Sequence, residues 1–505
     1  ILADDLGYGD VKSFGGERCQ IETPNFDLLA KEGVRFTNAH ASASVCVPSR
    51  MAILTGRYPF RFGRGANGGP WGFIGLQLKK TQFTIARMLQ GAGYRTACIG
   101  KWHLGTAMPT KDGKVQGLTN VDYTKPLLVG PNDYGFDESF ILPGSLDMYP
   151  YVFVRNHEFV GKVTAQKGWS AFNRVGPAAE DFLDTEVLST FCDEAGKFIK
   201  SEAKKKTPFF LFVGLTAPHT PSSPESGFEG KSPVGIYGDF VMNTDACIGR
   251  IRQHLRKAGL EKNTLLMVSS DHGPGHYSGP ERKAIANQMK VMEKQGHFSR
   301  GQWRGYKFSG YEGGLRVPFA AVWPGVISPG TKNDALVGLV DLMATWAEVA
   351  GVKLAPSLAP DSLSFLPYLA NKKPLLRNHL LARGTRADVY YEDKWKLILG
   401  PGSGSSGPFF TEPKSEDAWK EALLEFGRTP KNHKELENPT FVQLYDLKAD
   451  PGETKNLAKS HFDQVTKMIR AYAKIVENGR TTTGPKLSND RPLKIFRPPG
   501  FVWKK

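Results

Sequence analysis

Short, continuous apolar runs alternate along this chain with segments of helical periodicity. Residues 208–215 form a continuous apolar run, and residues 264–270 contain a second run, Leu265 to Val268; both predict buried strands. A further strand over residues 94–100 directly follows a predicted helix. The predicted helices cover residues 23–33, 84–91, 185–201, 237–258 and 341–349. This alternation of helices and buried strands is typical of the α/β class.

The pattern changes after about residue 370. Residues 389–398 predict a hairpin, residues 444–453 a strand and turn, and residues 461–477 a helix. We therefore expect two units: a large α/β domain over residues 1–370, and an α+β subdomain over residues 371–505 with a small antiparallel sheet, one helix and an extended basic tail.

Composition narrows the class of protein. The 505 residues carry 66 Lys and Arg against 50 Asp and Glu, a formal charge of +16, which favours polyanionic partners. Nucleic acid is not expected, because no nucleic-acid-binding signature appears; a sulfated polysaccharide or a merely solvated basic surface remains open. No apolar run reaches about 18 residues, so no membrane span is expected. Five widely spaced cysteines argue against a disulfide framework and for at least one free thiol.

Polar residues follow several of the predicted strands. Asp4 and Asp5 follow a first apolar stub, which is expected to be part of a strand that began earlier, behind any signal peptide. Lys101 with His103, His219, and Asp271 with His272 follow three further strands. Sites in open α/β sheets lie at the carboxyl ends of strands, so these side chains are candidates for a cation and an anion site. A polar turn and ordinary buried histidines are the alternatives.

Residues 44–57 predict a nucleophile beside a helix. Pro48 suits the first helical position and Gly56 the residue past the helix end, so Cys46 is expected just before the helix N-terminus. Free N–H groups there favour an anion, and Arg50 adds a positive charge one turn on. A buried structural cysteine is the alternative.

Residues 46–57 match C-x-P-S-R-x-x-x-L-T-G-R, and this stretch resembles the signature of the type I sulfatases. Further matches are G-K-W-H-L-G at residues 100–105, S-D-H-G at residues 270–273 and R-G-x-K with Y-E-G-G-x-R-x-P at residues 304–318. The resemblance implies an alkaline-phosphatase-like fold, with a large mixed sheet sandwiched by helices, and a sulfuric ester hydrolase.

The resemblance also implies cofactors and residue roles. A maturation enzyme would oxidise Cys46 to formylglycine, whose hydrated aldehyde attacks sulfur. One Ca²⁺ would be held by Asp4, Asp5, residue 46, Asp271 and His272, although many relatives have Asn at the last position. Lys101 and Lys307 would bind sulfate, His103 would contact the formylglycine hydroxyl, His219 would protonate the leaving alcohol, and Arg50 would orient the nucleophile.

Several residues suggest substrate contacts. Arg61, Arg64 and Trp71 lie on a Gly/Arg-rich loop, where arginine and an aromatic ring suit anion contact and sugar stacking. Residues 274–307 form a basic segment that we expect to line a polyanion cleft, unless it is simply solvated. The candidates there and in the subdomain are His276, Trp303, Arg304, Arg383 and Arg386.

We therefore expect a periplasmic or secreted sulfatase acting on a sulfated oligo- or polysaccharide. The nearest relatives by these motifs are galactose, N-acetylgalactosamine and carrageenan-type sulfatases. One alternative is a phosphonate or phosphodiester hydrolase on the same fold. The other is a catalytically silent polyanion-binding protein with unmodified Cys46.

Overall fold

The computed structural model describes residues 1–63, 68–169, 172–282, 288–369, 377–400, 403 and 442–493. Among them, no helix combines the length and apolar character needed to cross a membrane. The predicted domain boundary near residue 370 and the basic tail from residue 494 lie outside this part of the chain.

The helices of the described residues are α1 Lys12–Gly15, α2 Pro24–Glu32, α3 Cys46–Thr55, α4 Ile85–Gly91, α5 Val187–Glu202, α6 Ile236–Lys257, α7 Gln288–Lys294, α8 Glu312–Leu315, α9 Leu342–Val349, α10 Leu366–Leu369 and α11 Phe462–Asn478. The strands are β1 Leu2–Asp4, β2 Val34–Phe36, β3 Ala39–His40, β4 Arg95–Lys101, β5 Glu138–Leu142, β6 Val154–Arg155, β7 Glu158–Phe159, β8 Ala165–Lys167, β9 Gly176–Ala178, β10 Phe209–Pro218, β11 Leu266–Ser270, β12 Phe319–Val322, β13 Thr331–Asn333, β14 Val337–Gly338, β15 His379–Arg383, β16 Asp388–Glu392, β17 Trp395–Leu399 and β18 Val442–Asp446.

A ten-stranded mixed sheet forms the centre of the molecule, in the order β13-β2-β12-β11-β1-β10-β4-β5-β6-β7. Strands β11, β1, β10, β4 and β5 run parallel, and Leu2 of β1 pairs with Gly214 on one side and Ser269 on the other. The apolar side chains of these strands and of α2, α5, α6 and α9 form one buried core. The predicted α/β fold is confirmed.

The smaller sheet is antiparallel, in the order β15-β16-β17-β18, and its second and third strands form the predicted hairpin. Its buried residues pack with α11 and share a core with Ala52 of α3, Tyr58 and Tyr311. The C-terminal sheet therefore packs directly behind the helix that begins at Cys46.

Two local features are not evident from the sequence. Residues 34–40 form two short strands in different sheets, because β2 pairs with β12 whereas β3 pairs with β14. Cys192 and Cys247 form a disulfide between α5 and α6, and the free thiols are those of Cys19, Cys46 and Cys98. Contact between these helices brings together two cysteines that are 55 residues apart.

Candidate active site

The carboxyl ends of four adjacent parallel strands meet at one edge of the large sheet. They carry the predicted Asp4 and Asp5 after β1, His219 after β10, Lys101 at the end of β4, and Asp271 after β11. Because the strands are parallel neighbours, the residues that follow them converge, and all five side chains are buried.

Two lysines neutralise the first two carboxylates. Nζ of Lys101 lies 2.5 Å from Oδ2 of Asp4, and Nζ of Lys307 lies 2.8 Å from Oδ1 of Asp5. Burial alone would raise the pKa of Asp4, but the Lys101 ammonium, with further cations nearby, holds that pKa well below its ordinary value. The pKa of Asp5 is raised, because burial outweighs Lys307. Both lysine pKa values are raised by their carboxylate partners in spite of burial. The ammonium groups therefore stay charged inside the protein.

Helix α3 begins at Cys46 itself, two residues earlier than predicted. Val45 is the extended residue before the helix, so Pro48 becomes its third residue. Proline is tolerated there because the N–H groups of the first turn have no intrahelical acceptor. Gly56 ends the helix in the left-handed conformation with φ of 60°, as its type predicts.

Arg50 fixes this helix to the strand ends. Its Nε donates to Oδ2 of Asp271 over 3.0 Å, and its Nη1 donates to the carbonyl of Lys101 over 2.9 Å. The guanidinium is buried, so these contacts hold the first turn of α3 against β4 and β11. The fork geometry of arginine is what allows one side chain to reach both strands.

The Cys46 thiol lies in the middle of the cluster. Its Sγ is 3.2 Å from Nε2 of His272 and 3.7 Å from Nζ of Lys307. Burial raises the pKa of this thiol well above its ordinary value, although Lys101 and Lys307 act in the opposite direction. The side chain is therefore an uncharged thiol and not a thiolate nucleophile.

The same group of residues fits a hard cation. Potential ligand atoms of Asp4, Cys46, Asp271 and His272 all lie within 4.8 Å of one another. Oδ1 of Asp4 is buried and has no hydrogen-bond partner in the described part of the chain. Nδ1 of His272 shares a 2.9 Å hydrogen bond with the Gly273 carbonyl, which leaves Nε2 as an acceptor facing the carboxylates. Carboxylate oxygens are the ligands that Ca²⁺ prefers, and the imidazole nitrogen of His272 is a softer ligand beside them.

Two more histidines border the cluster. Nδ1 of His219 donates to the Thr220 carbonyl over 2.6 Å, and its Nε2 lies 3.8 Å from Oδ2 of Asp5. His103 is buried with a positive φ of 53°. Burial lowers both histidine pKa values well below the ordinary value, and the nearest lysine ammonium adds to the effect in each case. Both rings are therefore neutral.

Two residues of this site carried no signal in the sequence. The Tyr277 hydroxyl lies 3.5 Å from Oδ2 of Asp5. Oδ1 of Asp147 lies 3.9 Å from Nδ1 of His219. Asp147 falls in the irregular stretch 106–180, where no strand end or motif marks a position. Only the packing of that segment brings it to the site.

Three predicted substrate contacts are structural residues instead. Arg61 is fully buried and forms a two-pronged ion pair with Asp361, at 2.8 and 2.9 Å. The Trp303 ring is buried beneath the Arg316 guanidinium at 4.1 Å. Arg304 is buried over the Tyr311 ring and donates to the Glu453 carbonyl. The guanidinium groups and the indole ring that could bind a substrate are therefore engaged in contacts within the protein.

The remaining predicted substrate residues differ in their exposure to solvent. Trp71 is 39% exposed, and Arg386 is exposed on the small sheet. Arg383 is the last residue of β15, and its carbonyl accepts a hydrogen bond from the N–H of Ser44, two residues before Cys46. Its side chain pairs with Asp388 at 2.8 Å. His276 is buried against the Tyr277 ring, and burial lowers its pKa to about 4. Arg64 lies outside the described residues.

The basic segment 274–307 does not present its charge as a free patch. Arg282 pairs with Glu229, Arg300 with Glu293, and Lys307 with Asp5, each within 2.8 Å. Lys290 and Lys294 are exposed on α7. The expected polyanion cleft is therefore not favoured by this part of the structure, because ion pairs satisfy most of its described arginines.

Comparison with known proteins decides the family. The family model described as Sulfatase matches residues 1–352. The chain belongs to the sulfatase family. It is accordingly a sulfuric ester hydrolase, as its motifs predicted.

This sulfatase is 31% identical over 519 residues to an N-acetylgalactosamine-6-O-sulfatase of Bacteroides thetaiotaomicron, a match that covers 95% of this chain and 92% of the relative. A solved sulfatase from the same organism, described with the metabolism of multiple glycosaminoglycans, superposes with a TM-score of 0.77 at 29% identity and covers 94% of this chain and 98% of its own. A structure solved with a neocarrahexaose has a TM-score of 0.65 at 24% identity, with 94% and 91% covered, and shows the shared fold alone.

Proposed function

We propose that this sulfatase hydrolyses sulfate monoesters of a sulfated glycan, using formylglycine made from Cys46 and one Ca²⁺. The observation that carries the proposal is the position of Cys46. Its side chain lies in a cluster of three carboxylates, two lysines and three histidines, which come from the ends of four strands and from the loop that carries Lys307. Sulfate cleavage needs charge neutralisation, a nucleophile and a proton donor, and this cluster offers groups suited to each.

Asp4, Asp5, Asp271 and His272 would hold the cation, which polarises the sulfate ester when bound. The hydrated aldehyde of formylglycine supplies an oxygen nucleophile, and oxygen suits Ca²⁺ better than a thiol does. A protonated thiol in this position is a weak nucleophile, so an oxidised residue 46 agrees better with its surroundings.

The remaining residues act on the substrate. Lys101 and Lys307 are charged and buried, so they are suited to bind the non-bridging oxygens of the sulfate. His219 donates its Nδ1 proton to the Thr220 carbonyl and directs Nε2 to the centre. Because the ring is neutral, Nε2 would first bind a proton from water, which the negative charge of a bound sulfate ester favours, and would then donate that proton to the leaving alcohol. His103 would take up the proton released when sulfate departs, and Arg50 would keep the first turn of α3 in place.

The glycan is proposed from the relatives and from charge. A relative that matches nearly the whole chain acts, by its name, on N-acetylgalactosamine 6-sulfate, and we propose a galactosamine- or galactose-type sulfated sugar for this enzyme. Carrageenan is a weaker proposal, because that neighbour shows the fold alone. A formylglycine-generating maturation enzyme and a periplasmic or secreted location belong to the same proposal.

The test is a screen of defined sulfated mono- and oligosaccharides with released sulfate as the readout, on protein co-expressed with a maturation enzyme. We expect turnover of at least one galactose or N-acetylgalactosamine sulfate. Phosphonate and phosphodiester substrates are run in parallel. Turnover of phosphorus esters alone would replace the proposal with the hydrolase alternative. Absence of turnover in protein that carries the aldehyde at residue 46 would favour a polyanion-binding protein.

A further inference from the structure

A carboxylate oxygen without a partner lies at the wall of the active site. Asp147 is 1% exposed, and its Oδ1 has no hydrogen-bond partner among the residues the structure describes. Nδ1 of His219 is 3.9 Å away, which is beyond hydrogen-bond distance. A buried polar atom without a partner is costly, so its presence requires an explanation.

His219 is not the missing partner. Its Nδ1 already donates to the Thr220 carbonyl over 2.6 Å, and its Nε2 faces Asp5. The free oxygen of Asp147 is therefore not used to hold the imidazole. Among the described residues it has no donor, so a molecule that enters the site can donate a hydrogen bond to it.

The other half of the same carboxylate is held firmly. Nη1 of Arg174 donates to Oδ2 of Asp147 over 2.8 Å and to its backbone carbonyl over 2.8 Å. The Arg174 guanidinium lies 3.4 Å from the centre of the Trp71 ring. Because Arg174 holds Oδ2 and the backbone carbonyl of Asp147, and is itself stacked on Trp71, rotation of the carboxylate is restricted. Oδ1 therefore keeps its position beside the site.

A negative oxygen is a poor neighbour for sulfate itself. Sulfate would be bound by Lys101 and Lys307. Burial raises the pKa of Asp147, although Arg174 and these two lysines act in the opposite direction. A hydroxyl group is a suitable partner, because it donates to a carboxylate and carries no charge of its own. A sugar presents several hydroxyls within a few ångströms of its sulfate, whereas an aryl sulfate presents none.

We propose that Asp147 is a specificity-determining residue, whose Oδ1 accepts a hydrogen bond from a ring hydroxyl of the sulfated sugar beside the sulfate site. Arg174 and Trp71 are positioning residues for that carboxylate. The inference rests on the proposed function and adds to it the subsite that reads the sugar. It also gives a role to Trp71, which the sequence marked as a substrate contact.

The test compares N-acetylgalactosamine 6-sulfate with analogues that each lack one ring hydroxyl. In all of them the leaving group is the alcohol at position 6 of the sugar, so a change in proton donation by His219 alters all their rates by the same factor. The wild-type enzyme should lose about 10- to 100-fold in kcat/KM on one analogue, the range for a hydrogen bond to a charged group. Asp147→Ala should lose as much on the parent sugar and lose nothing further on that analogue.

Two further variants test whether a loss of activity comes from misfolding or from a nonspecific effect of substitution. Asp147→Asn keeps the shape and the contact with Arg174 but removes the charge, and we expect it to lose part of the discrimination. Arg155→Ala changes an arginine on β6 that pairs with Glu194 at 2.8 Å, and we expect it to behave as wild type. Melting temperatures show whether each variant is folded.

The outcomes separate the two proposals. The subsite is overturned when Asp147→Asn or Asp147→Ala, shown to be folded, still discriminates among the analogues as the wild type does. It is also overturned when the wild type discriminates against none of them. A uniform loss on every analogue would instead assign Asp147 to positioning His219. Failure of the wild type to release sulfate from any sugar in the screen would count against the proposed function itself.

Discussion

Nε2 of His272 lies 3.2 Å from Sγ of Cys46, and both side chains are buried. The same nitrogen is 3.3 Å from Oδ1 of Asp5. One imidazole thus touches both the proposed nucleophile and the proposed cation ligands. At this position the sequence departs from the asparagine common among the type I sulfatases, so the role of His272 is open to a direct test.

We expect His272→Ala to weaken Ca²⁺ binding by about 10- to 100-fold, because the site loses a ligand. His272→Asn should keep or strengthen binding, since an amide oxygen suits this hard cation. The measurement is the rise in melting temperature on titration of chelator-treated protein with Ca²⁺. Saturating a site at about 100 times its dissociation constant adds about 2.7 kcal/mol of stability. Equal shifts for wild type and both variants would remove His272 from the cation site.

Cys46→Ala should abolish sulfate release, since alanine offers nothing to oxidise, while binding of the sulfated sugar persists. The matched control is Cys19→Ser, because the buried Cys19 thiol donates to the Ile21 carbonyl and a hydroxyl can replace it there. Turnover and mass spectrometry of the residue-46 peptide provide the readouts. Activity above background in Cys46→Ala would place the nucleophile elsewhere.

Arg61→Ala should destabilise the fold by about 3 to 5 kcal/mol, because it leaves the Asp361 carboxylate buried and unpaired. Arg57→Ala, which removes a more exposed pair with Asp490, should cost at most about 1 kcal/mol. Urea unfolding measures both. Activity per folded molecule should be unchanged in the two variants, and a loss of kcat/KM without a loss of stability would restore Arg61 as a substrate residue.

Glu453 should make stability depend on pH. It is buried between Lys396 at 2.7 Å and the backbone N–H of Glu312, within a cluster that includes Tyr391, His40 and Arg316. Burial raises the pKa of Glu453 from 4.5 to about 7, although Lys396 opposes the change.

A carboxyl whose pKa is higher in the folded state contributes its full stability below the unfolded-state pKa and loses it as pH rises through the folded-state value. The contribution of Glu453 to the free energy of unfolding should therefore fall between about pH 4.5 and 7. Glu453→Gln should reduce that fall, as measured by urea unfolding at pH values on either side of the window. An equal fall in wild type and variant would contradict the raised pKa.

The sequence predicted the elements that local pattern controls. The apolar runs became β4, β10 and β11, and the periodic segments became α5, α6, α9 and α11, with ends within three residues of expectation. Parallel strands place their carboxyl ends at one edge, so the polar residues after them could be expected to meet without knowledge of the strand order.

What the sequence by itself determined is thus the α/β class and the residues at its strand ends, because both follow from periodicity and from short contiguous motifs. Only the tertiary structure decided the roles of Arg61, Trp303 and Arg304. Their long side chains could bind either a ligand or another residue of the protein, and in the structure each of them contacts another residue of the protein. It also brought Asp147 close to His219, which lies 72 positions later in the chain. Such contacts depend on how loops pack, and no local periodicity encodes them.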